Sequence, residues 1–151
     1  MVWTPIAMGI DMQPRISVLT LGVANLENAV RFYSAGLGLP TEGIIGQEFE
    51  HGAVAFFDLA GGVKLALWAR ADLAHDSGMP QRPAGGLWGS IGHNVARRQD
   101  VDDTMEEAQR AGARIIKSPR ETFYGGYAGY FTYPDGHLWE IVWNPQMLPQ
   151  D

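Results

Sequence analysis

The side chains able to do chemistry in this sequence are few, and their spacing is restrictive. There is no cysteine, which excludes disulfide scaffolds, thiolate metal sites and cysteine nucleophiles. The four histidines are His51, His75, His93 and His137. His137 and Glu140 form an H-x-x-E, but on a strand that spacing puts them on opposite faces. His51 and His75 fall in loop-like sequence and are expected to be solvated. His93 is expected to sit hydrogen-bonded beneath a sheet. Neither a G-x-x-x-x-G-K-[ST] phosphate loop nor a G-x-S-x-G elbow is present. One acid stands out. Glu140 lies in LWEIVW, sharing a strand face with Leu138 and Val142. An inward carboxylate is costly unless it is paired with a ligand or a neighbour.

Strands must carry this acid, and the sequence supplies them with punctuation. Nineteen glycines and nine prolines among 151 residues indicate many tight turns and short strands. Strands are expected at 16–23, near 44–45, and at 53–59, 63–69, 87–95, 114–116, 130–133 and 137–143. Asn25 caps a helix with Leu26, Ala29, Val30 and Tyr33 on one face and Gly36 at its end. Asp100 caps a second helix, with Val101, Met105 and Ala108 on one face and Gly112 as terminator. Residues 71–86 are polar and broken by proline and glycine, and read as a connection with room for one helical turn.

The two halves match in detail. Phe56-Phe57 falls on Tyr130-Phe131, Gly62 on Gly136, and Leu65-Ala66 on Trp139-Glu140. Val18 falls on Ser90, and Val23 on Val95. Each unit is strand, helix, then three strands. This gives a single α+β domain at 14–146, with module one at 14–70, a connection at 71–86 and module two at 87–146. An N-terminal arm (1–13) and a tail (147–151) flank it.

The segments GVANLENAVRFYSAGLGLP and YFTYPDGHLWEIVWNP, within two βαβββ units, resemble the vicinal oxygen chelate superfamily. That group includes glyoxalase I, bleomycin-resistance proteins, fosfomycin-resistance transferases and extradiol dioxygenases. The resemblance spans about residues 14–146. It implies eight strands curled into a cup, a homodimer, and up to four metal-ligand positions. Those positions here are Val18, Ala66, Ser90 and Glu140. Only Glu140 is a good ligand, whereas a catalytic metal normally takes three protein ligands. No divalent metal or other cofactor is therefore expected.

Fosfomycin-resistance proteins carry a substrate-binding tyrosine ten residues before the last-strand glutamate, and Tyr130 matches that offset. Trp68 is expected as an aromatic floor and Asn94 as an orienting amide. The stretch TFYGGYAG (122–129) reads as a glycine–aromatic loop that closes over a ligand, bringing Tyr124 and Tyr127.

With 11 basic and 17 acidic residues the net charge is −6, which argues against a nucleic-acid partner. No apolar run reaches the roughly 18 residues of a membrane span, and no leader is recognisable, so a cytoplasmic location is expected. Two functions fit: a metal-independent small-molecule binder similar in role to bleomycin-resistance proteins, or a lyase-, isomerase- or epimerase-type enzyme using Glu140 as acid or base. A role in assembly alone is a third.

Overall fold

The computed structural model describes residues 12–81, 89–133 and 135–150. Most of the N-terminal arm, Leu87, Trp88 and Pro134 lie outside the described residues. Eight strands fall into two four-stranded sheets of identical plan. The first sheet contains β1 (Val18–Val23), β2 (Thr41–Ile45), β3 (Val54–Asp58) and β4 (Lys64–Ala69). The second contains β5 (Ser90–Asn94), β6 (Arg114–Glu121), β7 (Tyr127–Tyr133) and β8 (His137–Trp143). Their orders are β1-β4-β3-β2 and β5-β8-β7-β6, each with one parallel pair and two antiparallel pairs. The ladders confirm the repeat. Val18 pairs with Lys64 and Ser90 with Leu138; Thr20 pairs with Ala66 and Gly92 with Glu140. No ladder joins the two sheets among the described residues, so the eight strands form two four-stranded sheets rather than one continuous eight-stranded sheet.

Alternation decides which face of each sheet is dry. On β1 the buried positions are Leu21 and Val23; on β3, Ala55 and Phe57; on β8, Ile141 packs inward with Trp139 and Trp143 beside it. These residues and the helices form one core common to both modules. The first helix, α1 (Leu26–Arg31), starts at Asn25, whose side chain accepts from the Asn28 amide at 2.9 Å. It continues as a π-helical turn over Phe32–Gly36, closed by the Leu37 amide donating to the Phe32 carbonyl. The widened turn turns Phe32 and Tyr33 into module two. Phe32 stacks on Tyr133 at 3.9 Å, and Tyr33 is fully buried, its hydroxyl accepting from Trp139 Nε1 at 3.1 Å. Burial pushes the Tyr33 phenol far above its ordinary range.

Several local expectations change. Arg70–Ser77 forms a helix, α2, longer than the one helical turn that the connection suggested; its apolar content is mostly alanine, which leaves little periodicity to detect. The third helix, α3 (Arg98–Arg110), buries Val101, Met105 and Ala108 as expected. Its N-cap is Arg97, and Asp100 accepts from the Arg97 amide at 3.1 Å. His93 is exposed, not buried beneath the sheet. The 122–129 stretch is not a long loop. Residues 122–126 make a tight hairpin turn in which Thr122 bonds to Gly125 and Gly126, and Tyr127–Gly129 belong to β7. Gly129 has a packing reason: a Cβ there would come within 3.0 Å of Met105 Cε and 3.1 Å of the Lys117 carbonyl.

The modules are also clasped through a buried carboxylate. Asp135, in the β7–β8 turn, accepts from the Ala24 amide at 2.8 Å and lies 3.6 Å from Arg70 Nη2. Its side chain is 3% exposed.

Candidate functional site

The strand faces turned away from the common core carry the candidate site. On the second sheet this outer face holds Leu138, Glu140 and Val142 from β8, opposite Thr132, Tyr130 and Ala128 of β7. Ser90, Gly92 and Asn94 of β5 flank them on the other side. Tyr130 and Glu140 are direct cross-strand partners, and the Tyr130 hydroxyl donates to Glu140 Oε2 at 3.0 Å. Burial, then this bond and the nearby Tyr124, raise the Tyr130 phenol above its ordinary value. It therefore stays protonated and remains a donor at neutral pH. A cleft of about 500 Å³ opens beside the pair, lined by Gly89, Ser90, Ile116, Lys117, Tyr130 and Leu138.

The edge strand β6 contributes what sequence reasoning missed. Arg114 pairs with Thr132, Lys117 with Tyr130, and Arg120 with Ala128, so all three cations share the outer face. Two register irregularities, between 115 and 117 and between 117 and 120, bring residues spaced by three onto one side. Simple alternation would have split them.

The other expected residues scatter. Tyr127 stands on the helix side of β7, with its hydroxyl donating to Asp102 at 2.8 Å and the Arg98 guanidinium 4.1 Å above its ring. It does not join the Tyr130–Glu140 wall. Tyr124 lies in the hairpin turn, edge-on to the fully exposed Phe123. Asn94 is on the outer face, but its amide donates to the Met147 carbonyl at 3.1 Å. Trp68 lies on the first sheet's outer face opposite Gly22, and its Nε1 donates to the His51 carbonyl at 2.9 Å. His51 in turn meets Asp72 at 2.7 Å and stacks on His75 at 4.1 Å, so neither ring is simply solvated. A second cavity of about 420 Å³ opens on the first sheet, beside Glu42, Phe56, Asp58 and Lys64, the last two ion-paired at 2.6 Å.

The residues at the four metal-equivalent positions do not suit a divalent ion. Val18 and Ala66 carry no donor atom, Ser90 offers one neutral hydroxyl, and Glu140 is engaged by Tyr130. Among the described residues, no three His, Cys, Asp or Glu side chains gather closely enough to hold a metal.

Comparison with known proteins places this geometry in context. A family model described as the Glyoxalase/Bleomycin resistance protein/Dioxygenase superfamily matches residues 15–141. A glyoxalase-related enzyme from Fulvimarina pelagi is 32% identical, with a TM-score of 0.76 over 88% of this chain and 90% of that one. A glyoxalase/bleomycin resistance protein/dioxygenase from Nocardioides is 23% identical, with a TM-score of 0.70 over 94% and 91%. A lactoylglutathione lyase from Agrobacterium tumefaciens shares the fold at 20% identity, with a TM-score of 0.63 over 89% and 97%.

Proposed function

Since the chain belongs to the Glyoxalase/Bleomycin resistance protein/Dioxygenase superfamily, we propose that it binds a small organic molecule at the Tyr130–Glu140 pair without a divalent metal. The observation that carries this is the pair itself. A carboxylate and a protonated phenol are 3.0 Å apart, and the phenol lines a cleft large enough for a compact ligand. The polar pair fixes orientation, and Ile116 and Leu138 supply apolar contact. Glu140 retains acceptor capacity beyond the one bond from Tyr130, which suits a hydroxyl or amine on the ligand.

A second copy of the chain completes the cup in this reading. Apolar residues stand exposed on both outer faces, with Val18 at 44%, Ile45 at 46% and Ile116 at 50%. No described helix is long and apolar enough to cross a membrane.

The test is a melting-temperature screen of small organic compounds against protein treated with a chelator. A ligand at about a hundred times its Kd stabilises by about 2.7 kcal/mol, which is a rise of about 5–11 °C for a domain this size. Glu140→Gln should abolish that rise while leaving the unliganded melting temperature nearly unchanged. A rise seen only after adding metal would refute the reading. The same pair favours a second reading, acid–base catalysis on the bound molecule. Metal-free turnover lost in Glu140→Gln would distinguish catalysis from binding alone.

A further inference from the structure

We infer that the molecule bound at this cleft is an anion, with its carboxylate or phosphate taken by Lys117. This rests on the binding site proposed above and names its substrate class. Three observations carry it. First, the chain is acidic overall, yet its charges on this outer face run the other way: Arg114, Lys117 and Arg120 stand there against Glu140. Second, none of the three cations is ion-paired among the described residues. The acid of the same strand, Glu121, pairs with Arg98 on the opposite side. Third, Lys117 is the half-buried member of the row and lines the cleft, whereas both arginines are exposed.

The stem of Lys117 is partly buried against the cleft wall while its ammonium has no carboxylate partner among the described residues, so the charge is held at the cleft and is available to an incoming anion. Ser90, lining the same cleft, adds a neutral hydroxyl. Tyr130 and Glu140 then read a hydroxyl or amine elsewhere on the ligand. The arginines flanking Lys117 act at longer range, raising the local concentration of anions at low salt.

Amide NMR titrations of the full chain at low ionic strength test this with three probes: benzoate, phenyl phosphate and benzyl alcohol. The two anions should shift the Ser90, Lys117 and Tyr130 amides and bind at least about tenfold more tightly than the alcohol. Lys117→Met should remove that preference while leaving alcohol binding unchanged, and Lys117→Arg should restore it. Equal binding of alcohol and anions would overturn the anion assignment and leave the cleft as a binding site. No shift with any probe would overturn both. Unchanged anion affinity in Lys117→Met would also overturn it. If sedimentation showed that the same variant had lost self-association, the cations would instead serve a contact between copies.

Discussion

Removal of the Asp135 carboxylate should weaken the whole domain, because this one side chain ties module two to module one. Asp135 is 3% exposed at its side chain, accepts from the Ala24 amide at 2.8 Å and faces Arg70 at 3.6 Å. A hydrogen bond to a charged acceptor is worth about 1.5–3 kcal/mol. Breaking a buried ion pair from one side costs about 3–5 kcal/mol, because the remaining charge is stranded. Arg70 is 24% exposed, but its Nε and Nη1 are buried, so water compensates only at the remaining nitrogen. Ala24 is exposed too, and its freed amide can turn to solvent. Asp135→Ala should therefore cost about 3 kcal/mol in total. For a domain of this size that lowers the melting temperature by about 6–12 °C. Asp135→Asn keeps an acceptor for Ala24 and should cost about half as much. Urea unfolding gives the stabilities directly. A second substitution sharpens the test: Arg70→Met should be nearly neutral in the Asp135→Asn background, since no guanidinium is then stranded. In the native background it should be destabilising. A loss below about 1 kcal/mol for Asp135→Ala, or strictly additive effects of the two positions, would refute the clasp.

Two further expectations follow from packing. His137 lies in the same interior region, and burial lowers its pKa from the ordinary 6.5, with Arg70 adding to the effect and Asp135 opposing it. The unfolded chain then takes up a proton near pH 6.5 while the folded chain does not, so this group costs stability as pH falls below about 6.5. An NMR titration of the His137 ring should show a midpoint below 6.5, lower still in Asp135→Asn; a midpoint at or above 6.5 would contradict it. Gly129→Ala should destabilise by about 1–3 kcal/mol, because the new methyl meets the Lys117 carbonyl at 3.1 Å and the Pro119 nitrogen at 3.2 Å, neither of which can rotate away. Urea unfolding within about 0.5 kcal/mol of the parent protein would show that β6 gives way instead.

The repeat and most strands were legible because alternation and turn glycines are local signals. The registers Val18–Lys64 and Ser90–Leu138 reproduce the match read from the two halves. Tyr130 was tied to Glu140 through the ten-residue offset that the family resemblance implies, and the tight turn between their strands is what sets the two face to face. Tyr127 was misplaced because its segment reads as a glycine-rich loop; once it is strand, parity puts its ring opposite to Tyr130. The row Arg114, Lys117, Arg120 was hidden by the two bulges that align it. The Ala24–Asp135 bond spans 111 positions and pairs a backbone amide with a turn residue, so no local pattern announces it. The helix α2 lacks the apolar stripe by which helices are recognised.

The two helices of the repeat end against each other. A Cβ on Gly36, the last residue of its helical stretch, would lie 2.6 Å from the Cβ of Ala111, the residue that caps α3. These are near-equivalent positions of the two modules, so each half touches the other with the same part of itself. That is the signature of an isologous contact across a two-fold axis, as in a symmetric pair of identical subunits. The chain is thus organised like a dimer of single modules whose ends have been joined. Joining released a constraint: a true dimer would need one residue to serve both sides of its axis. Here one side is glycine and the other carries a methyl group, and the two helix ends close to a distance that two alanines could not share.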